Sequence, residues 1–77
     1  MTIVIWSKFD CSFCERAKHE FKKRDLSYEE RIIGGGWTKE QLLEVAPNAR
    51  SVPQIFIDET YIGGYTELMK SGKLDSQ

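Results

Sequence analysis

Cys11 and Cys14 are the only two cysteines of this 77-residue chain, and two residues separate them. On a helix, this spacing puts both sulfur atoms on one face, one turn apart. A Cys-x-x-Cys pair beside a β-α-β pattern is typical of thiol–disulfide exchange, in which one thiolate attacks a disulfide and the neighbouring thiol resolves the mixed disulfide. The segment Cys11-Ser12-Phe13-Cys14 therefore predicts a redox centre.

Three weaker interpretations of the cysteine pair stay open. A structural zinc site needs four ligands, and His19, the one histidine, would point away from the sulfurs on the predicted helix. A structural disulfide across so short a loop would restrict the unfolded chain little, so it would stabilise the fold poorly. The cysteines could also be inert residues of the core.

The elements around the pair predict different roles for the two thiols. A buried strand is expected at residues 2–6 and an amphipathic helix at residues 12–24, which places Cys11 near the helix N-cap. Unpaired N–H groups and the positive end of the helix favour a thiolate there, and Lys8 adds a cation. We expect a lowered pKa for Cys11, within the range of about 3.5–7.5 found for such motifs. Cys14, on the apolar face, is expected to be buried and protonated when reduced.

Five further elements follow along the chain. Thr38 and Gln41 form a predicted capping box, and the helix that it opens should stop before Pro47. The expected elements are a strand at 27–33, a helix at about 38–46, strands at 54–57 and 60–62, and a short helix from Thr66 to before Gly72. The order β-α-β-α-β-β-α predicts an α/β fold, in which three helices flank a mixed four-stranded sheet. The first two strands should be parallel and the last two an antiparallel hairpin.

Composition and charge narrow the class of protein. The 11 basic and 12 acidic residues give a net charge of −1, which argues against a basic nucleic-acid binder. Basic residues outnumber acidic ones six to three within residues 1–24, the part that carries the cysteines. No apolar run approaches the roughly 18 residues of a membrane span, and no basic leader precedes residues 3–6. We expect one soluble domain over residues 1–77, in the cytosol.

Two segments beyond the cysteines suggest a binding site. Pro53 begins the third strand, where the Val52–Pro53 bond is either an ordinary trans bond or a cis bond that leaves the backbone groups of Val52 free. Gly63 and Gly64 lead into a helix that starts at Thr66. Either the two glycines only end the hairpin and Thr66 only caps the helix, or the helix start binds a carboxylate through its N–H groups.

The chain resembles the glutaredoxin family, and the small dithiol bacterial type in particular. Three segments carry the resemblance in register over residues 2–71: the Cys11–Cys14 motif, residues 51–57 and residues 62–67, with a less specific match at residues 37–42. The resemblance implies a thioredoxin-like fold and a glutathione-dependent oxidoreductase. Glutathione would be a co-substrate, with no tightly bound cofactor, and the substrates would be protein disulfides and glutathione mixed disulfides.

The resemblance also implies a role for each site residue. Cys11 would be the nucleophile and Cys14 the resolving thiol. Pro53 would be cis, with the Val52 backbone pairing with the cysteinyl part of glutathione. The rest of the implied glutathione site comprises Lys8 at the glycine carboxylate, Phe13 as a wall, Gly64 and Tyr65 along the groove, and Thr66 and Glu67 at the γ-glutamyl end.

Departures from the family pattern leave two alternatives open. Ser12 and Phe13 replace the usual Pro and Tyr, and some members without that proline hold a [2Fe–2S] cluster between two subunits, with Cys11 then a ligand. A second alternative is a redoxin reduced by thioredoxin reductase. The last helix is short, so residues 73–77 are expected to form a loose tail. By analogy, the chain would be a monomer with ribonucleotide reductase as a possible protein partner.

Overall fold

The structure, a computed structural model, describes residues 1–75. The bounds of its seven elements are β1 (Ile3–Lys8), α1 (Ser12–Lys22), β2 (Glu29–Ile33), α2 (Lys39–Val45), β3 (Gln54–Ile57), β4 (Thr60–Gly63) and α3 (Tyr65–Ser71). The predicted order β-α-β-α-β-β-α is confirmed. No helix in this part of the chain is both long and apolar enough to cross a lipid bilayer.

The four strands form one mixed sheet in the order β2-β1-β3-β4. The predicted parallel pair of β1 with β2 and the antiparallel hairpin of β3 with β4 are both present, and β3 also pairs antiparallel with β1. Trp6, near the end of β1, therefore pairs with Gln54 at the start of β3. Since Gly63 at the end of β4 lies opposite Ile55, the segments after β1, before β3 and after β4 all meet at one edge of the sheet.

Two apolar clusters lie on the two faces of the sheet. The alternation of β1 sends Ile3 and Ile5 to one face, where they join α1 and α3 residues, and sends Trp6 to the other, where it packs with Leu42 of α2. The larger cluster contains Ile3, Ile5, Ala17, Phe21, Ile55, Ile57, Leu68 and Leu74, all buried. Packing on both faces holds the four strands in place, and with them the edge of the sheet where the segments after β1, before β3 and after β4 meet.

Helix α1 is shorter than predicted. It ends at Lys22 rather than residue 24, and Asp25 adopts a left-handed φ of 55° that turns the chain back. The N–H of Leu26 then donates to the Phe21 carbonyl over 3.0 Å, and Leu26 packs against the larger cluster. The apolar pattern cannot show this turn, because Lys23 and Arg24 suit a helix interior as well as its end.

The expected loose C-terminal tail is wrong for residues 73–75. Gly72 ends α3 in the left-handed conformation, as its position after the helix suggests, and the chain then brings Leu74 into the core. Asp75 accepts hydrogen bonds from Arg24 over 3.2 and 2.7 Å. Leu74 thus packs in a cluster with residues of α1, and Asp75 is bonded to the turn that follows α1. Residues 76 and 77 lie outside the described residues.

Candidate active site

Cys11 lies at the N-cap of α1, as predicted. Its backbone is extended, and its Sγ accepts a hydrogen bond from the Cys14 N–H over 3.2 Å. The Cys11 carbonyl accepts from the Glu15 N–H, which closes the first turn. In the reduced protein, the same N–H and the positive helix end would stabilise a thiolate on Cys11. The N-cap position thus gives Cys11 the environment of a nucleophile.

The two cysteines differ in exposure, which also follows the prediction. Cys11 is partly exposed, whereas Cys14 is fully buried on the inner face of α1. Their sulfurs are joined in a disulfide, with the Cα atoms 5.2 Å apart. A substrate can therefore reach Cys11 but not Cys14, which is the arrangement that a nucleophile and a resolving thiol require. Within residues 1–75, no group of three or more His, Cys, Asp or Glu side chains could hold a metal ion.

The segment before β3 lies against the nucleophile. Cys11 Sγ is 3.9 Å from the carbonyl oxygen of Val52, 41 residues along the chain. The Val52–Pro53 peptide bond is cis, which the resemblance implied. Since Val52 precedes β3, its backbone is outside the sheet ladder and lies at the sheet edge beside Cys11.

Aromatic rings form one side of the site. Phe13 is 51% exposed, and its ring centroid lies 5.9 Å from that of Tyr65 at the start of α3. The Arg16 guanidinium covers the Phe13 ring at 5.2 Å from its centroid. Phe13 and Tyr65 therefore connect the cysteine helix to α3 beside Cys11, and their implied place in a glutathione groove stays a prediction.

The start of α3 corrects one detail of the prediction. The N-cap is Gly64 rather than Thr66, and the Glu67 carboxylate accepts a hydrogen bond from the Gly64 N–H over 2.8 Å. Gly63 has a φ of 115°, and a Cβ there would lie 3.0 Å from the Glu67 side chain. With the N-cap at Gly64, two residues earlier than Thr66, Tyr65 begins α3 and Thr66, in its first turn, is exposed.

A shallow groove with a volume of about 260 Å³ extends from Val52 to the end of β1. Lys8 lines it, as do two cations that the sequence reasoning missed, Lys39 and Arg50. Their signal in the sequence is weak, because Lys39 is the first residue of a capped helix and Arg50 precedes the Ser-Val-Pro segment. Three cations around one groove favour a ligand with an anionic group at this end.

Much of the positive charge of residues 1–24 is compensated by ion pairs. Lys18 pairs with Glu15 and Glu30, and Lys23 and Arg24 both pair with Glu20. Glu15 and Glu20 are already part of the six-to-three count, so only the pairs of Lys18 with Glu30 and of Arg24 with Asp75 reduce the surplus of residues 1–24 further. The main sources of positive charge near Cys11 are then the cations that line the groove and the N-terminus of α1.

One of these ion pairs is partly buried behind the cysteine helix. The Glu30 carboxylate accepts hydrogen bonds from Lys18 over 2.8 Å and from the fully buried Ser7 hydroxyl over 2.7 Å. Burial acts to raise the pKa of Glu30, but these hydrogen bonds outweigh it and the pKa is lowered. Burial likewise acts to lower the pKa of Lys18, yet its bonds to Glu15 and Glu30 raise it. The network joins α1, β1 and β2 beneath the site.

Comparison with known proteins gives a consistent result. The Glutaredoxin family model matches residues 3–62. Glutaredoxin 1 of Rickettsia prowazekii (strain Madrid E) is 34% identical over 96% of this chain and 83% of its own. Glutaredoxin 1 from Francisella tularensis, solved with cacodylate, superposes with a TM-score of 0.84 at 27% identity over 99% of this chain and 98% of that one. A buckwheat glutaredoxin–glutathione complex superposes with a TM-score of 0.82 at 28% identity, over 96% and 73% respectively.

These matches confirm the thioredoxin-like fold. They cover the cysteine helix, the Val52–Pro53 segment and the hairpin, which are the parts that build the site. The pairing of an accessible Cys11 with a buried Cys14 is the arrangement that disulfide exchange needs. The chain belongs to the glutaredoxin family and is a thiol–disulfide oxidoreductase.

Proposed function

We propose that this chain reduces protein disulfides and glutathione mixed disulfides, with glutathione as its reductant. The observation that carries the proposal is the position of Cys11 Sγ, at a helix N-cap and 3.9 Å from the Val52 carbonyl. A backbone segment that lies outside the sheet ladder and beside a nucleophilic sulfur can pair with the peptide groups on either side of a substrate disulfide. The similar buckwheat protein was solved with glutathione, which supports the tripeptide as the ligand.

The dithiol route accounts for both cysteines. The Cys11 thiolate attacks one sulfur of a protein disulfide, which forms a mixed disulfide and releases the other protein sulfur as a thiolate that takes up a proton. Cys14, deprotonated as it reacts, attacks Cys11 Sγ, frees the second protein thiol and leaves the Cys11–Cys14 disulfide. Two glutathione molecules then reduce this disulfide and leave as oxidised glutathione. The disulfide present in the structure corresponds to the oxidised end of this route.

A glutathione mixed disulfide needs only Cys11. Its thiolate attacks the glutathione sulfur, so that the protein thiol leaves and a Cys11–glutathione disulfide forms. A second glutathione thiolate attacks that adduct and restores Cys11. In this adduct, the glycine carboxylate would lie in the groove of Lys8, Lys39 and Arg50, and the γ-glutamyl end would lie at Thr66 and Glu67.

The remaining family-based expectations stay predictions. They include a cytosolic location, a monomeric state and ribonucleotide reductase as a protein partner. The [2Fe–2S] alternative predicts a brown dimer after anaerobic reconstitution with iron, sulfide and glutathione. The other alternative predicts faster reduction by thioredoxin reductase than by glutathione.

The test is a coupled assay with glutathione, glutathione reductase, NADPH and a glutathionylated peptide. We expect Cys11→Ser to abolish turnover, and the matched Cys14→Ser variant to keep it, since the monothiol route does not use Cys14. Thioredoxin reductase replaces the glutathione system in a parallel reaction. Full activity in Cys11→Ser, or reduction of the wild type by thioredoxin reductase alone, would overturn the proposal.

A further inference from the structure

A chain of side-chain hydrogen bonds runs from β4, at the edge of the sheet, to Ser51, which precedes Val52 in the segment before β3. The Tyr61 hydroxyl, on β4, donates to Gln54 Oε1 over 2.5 Å. The amide nitrogen of Gln54, at the start of β3, donates to the Ser51 carbonyl oxygen over 2.8 Å. Strand β4 and the stretch from Ser51 to Gln54 are thus linked through one glutamine side chain.

The Gln54 side chain has a defined orientation. It is 6% exposed, so an unpaired amide oxygen or nitrogen there would carry a desolvation cost. Tyr61 supplies the donor and Ser51 the acceptor, which distinguishes the two ends of the amide. The Tyr61 ring is held in turn by Phe56, at 5.3 Å between centroids. Because both ends of the amide are hydrogen-bonded, rotation of the amide group would break both bonds.

The orientation of the Ser51 carbonyl decides that of the next N–H group. The Ser51 carbonyl and the Val52 N–H belong to one planar peptide unit, so a bond that fixes the first also fixes the direction of the second. Val52 is the residue whose backbone lies beside Cys11 Sγ. The Gln54–Ser51 bond therefore acts on the group that would pair with a bound substrate, without touching the substrate.

We propose that Tyr61 is a positioning residue, which acts through Gln54 and the Ser51 carbonyl to hold the Val52 N–H in the orientation that binds substrate. The inference rests on the proposed function, since it assumes that the Val52 backbone pairs with the peptide part of glutathione. Tyr61 lies on β4, outside the residues that the family resemblance assigns to the glutathione site. Its role is to set the affinity of the site rather than the reactivity of the sulfur.

The test compares Tyr61→Phe with wild type in the coupled assay on a glutathionylated peptide. Loss of one hydrogen bond that orients the loop should lower kcat/KM about two- to tenfold. The rate at which iodoacetamide alkylates reduced Cys11, measured against pH, should not change, because the N-cap bonds of Cys11 are intact. Tyr28→Phe is the matched control, since the Tyr28 hydroxyl makes no hydrogen bond within residues 1–75 and its ring packs on Phe21.

A double-mutant cycle tests whether Tyr61 acts through Gln54. Gln54→Met removes both hydrogen bonds at similar length, so adding Tyr61→Phe to it should cost no further activity. An unchanged kcat/KM in Tyr61→Phe, an additive loss in the double variant, or a shifted alkylation profile would each overturn the inference. Absence of glutathione-dependent activity in the wild type would instead count against the proposed function.

Discussion

Leu74→Ala tests whether the last described segment belongs to the core. Leu74 is 3% exposed and packs in the larger cluster, together with Leu68 of α3. Removing the equivalent of three buried methylene groups costs about 2.4 kcal/mol at about 0.8 kcal/mol each. Incomplete closure of the cavity raises the cost, so we expect a loss of about 3 kcal/mol. A domain of this length has about 4–12 kcal/mol of stability, so the loss is a large share of it.

Urea unfolding of the oxidised proteins, followed by tryptophan fluorescence, to which the buried Trp6 and the partly buried Trp37 both contribute, measures this loss. The melting temperature should fall by about 12–24 °C, at about 4–8 °C per kcal/mol for a small domain. Lys70→Ala, on the exposed side of α3, is the control and should stay within about 0.5 kcal/mol of wild type. A loss below about 1 kcal/mol in Leu74→Ala would refute the packing of Leu74 in the core and restore the expected loose tail.

Three further changes test the site and its support. Since the pKa of Glu30 is lowered, its bonds stabilise the fold above the unfolded pKa near 4.3 and are lost as pH falls through the folded pKa. Glu30→Gln should therefore be less stable than wild type at pH 7 in urea, by a difference that shrinks toward pH 3; a constant difference would contradict this. Gly63→Ala should lose about 1–3 kcal/mol, because an alanine is strained at its positive φ, and wild-type stability would contradict the strain. Lys39→Ala should raise KM for a glutathione mixed disulfide about two- to fivefold at low salt, and less at 0.5 M salt, where charges are screened; an effect independent of salt would exclude a charge role.

The elements around the redox pair were predictable because local signals agree there. β-branched residues mark β1, and the helical spacing of Cys14, Ala17 and Phe21 marks α1. The Thr38–Gln41 capping box is present as predicted, with hydrogen bonds of 2.8 and 3.1 Å between the two residues. Each of these signals depends on neighbours within a few positions, so it can be read from the chain alone.

The features that the sequence did not reveal depend on contacts between distant segments. Leu74 follows a helix-ending glycine and precedes a charged residue, and only the position of α1 shows that it has a core to enter. Lys39 and Arg50 carry no motif, and they become groove residues because β1 ends beside them. The cis state of Val52–Pro53 came from the family resemblance, since the residues themselves favour trans.

The 41-residue separation between Cys11 and Val52 has a consequence for the order in which the protein gains its properties. Both thiols are present once α1 has been synthesised, but the Val52 backbone comes to lie beside Cys11 only when β3 pairs with β1. Such long-range pairing is slow to form and is lost when the sheet opens. On the proposed function, a chain that has opened at this pairing but retains α1 keeps the N-cap environment of Cys11 and loses the backbone proposed to select a substrate, so thiol reactivity outlasts substrate selectivity.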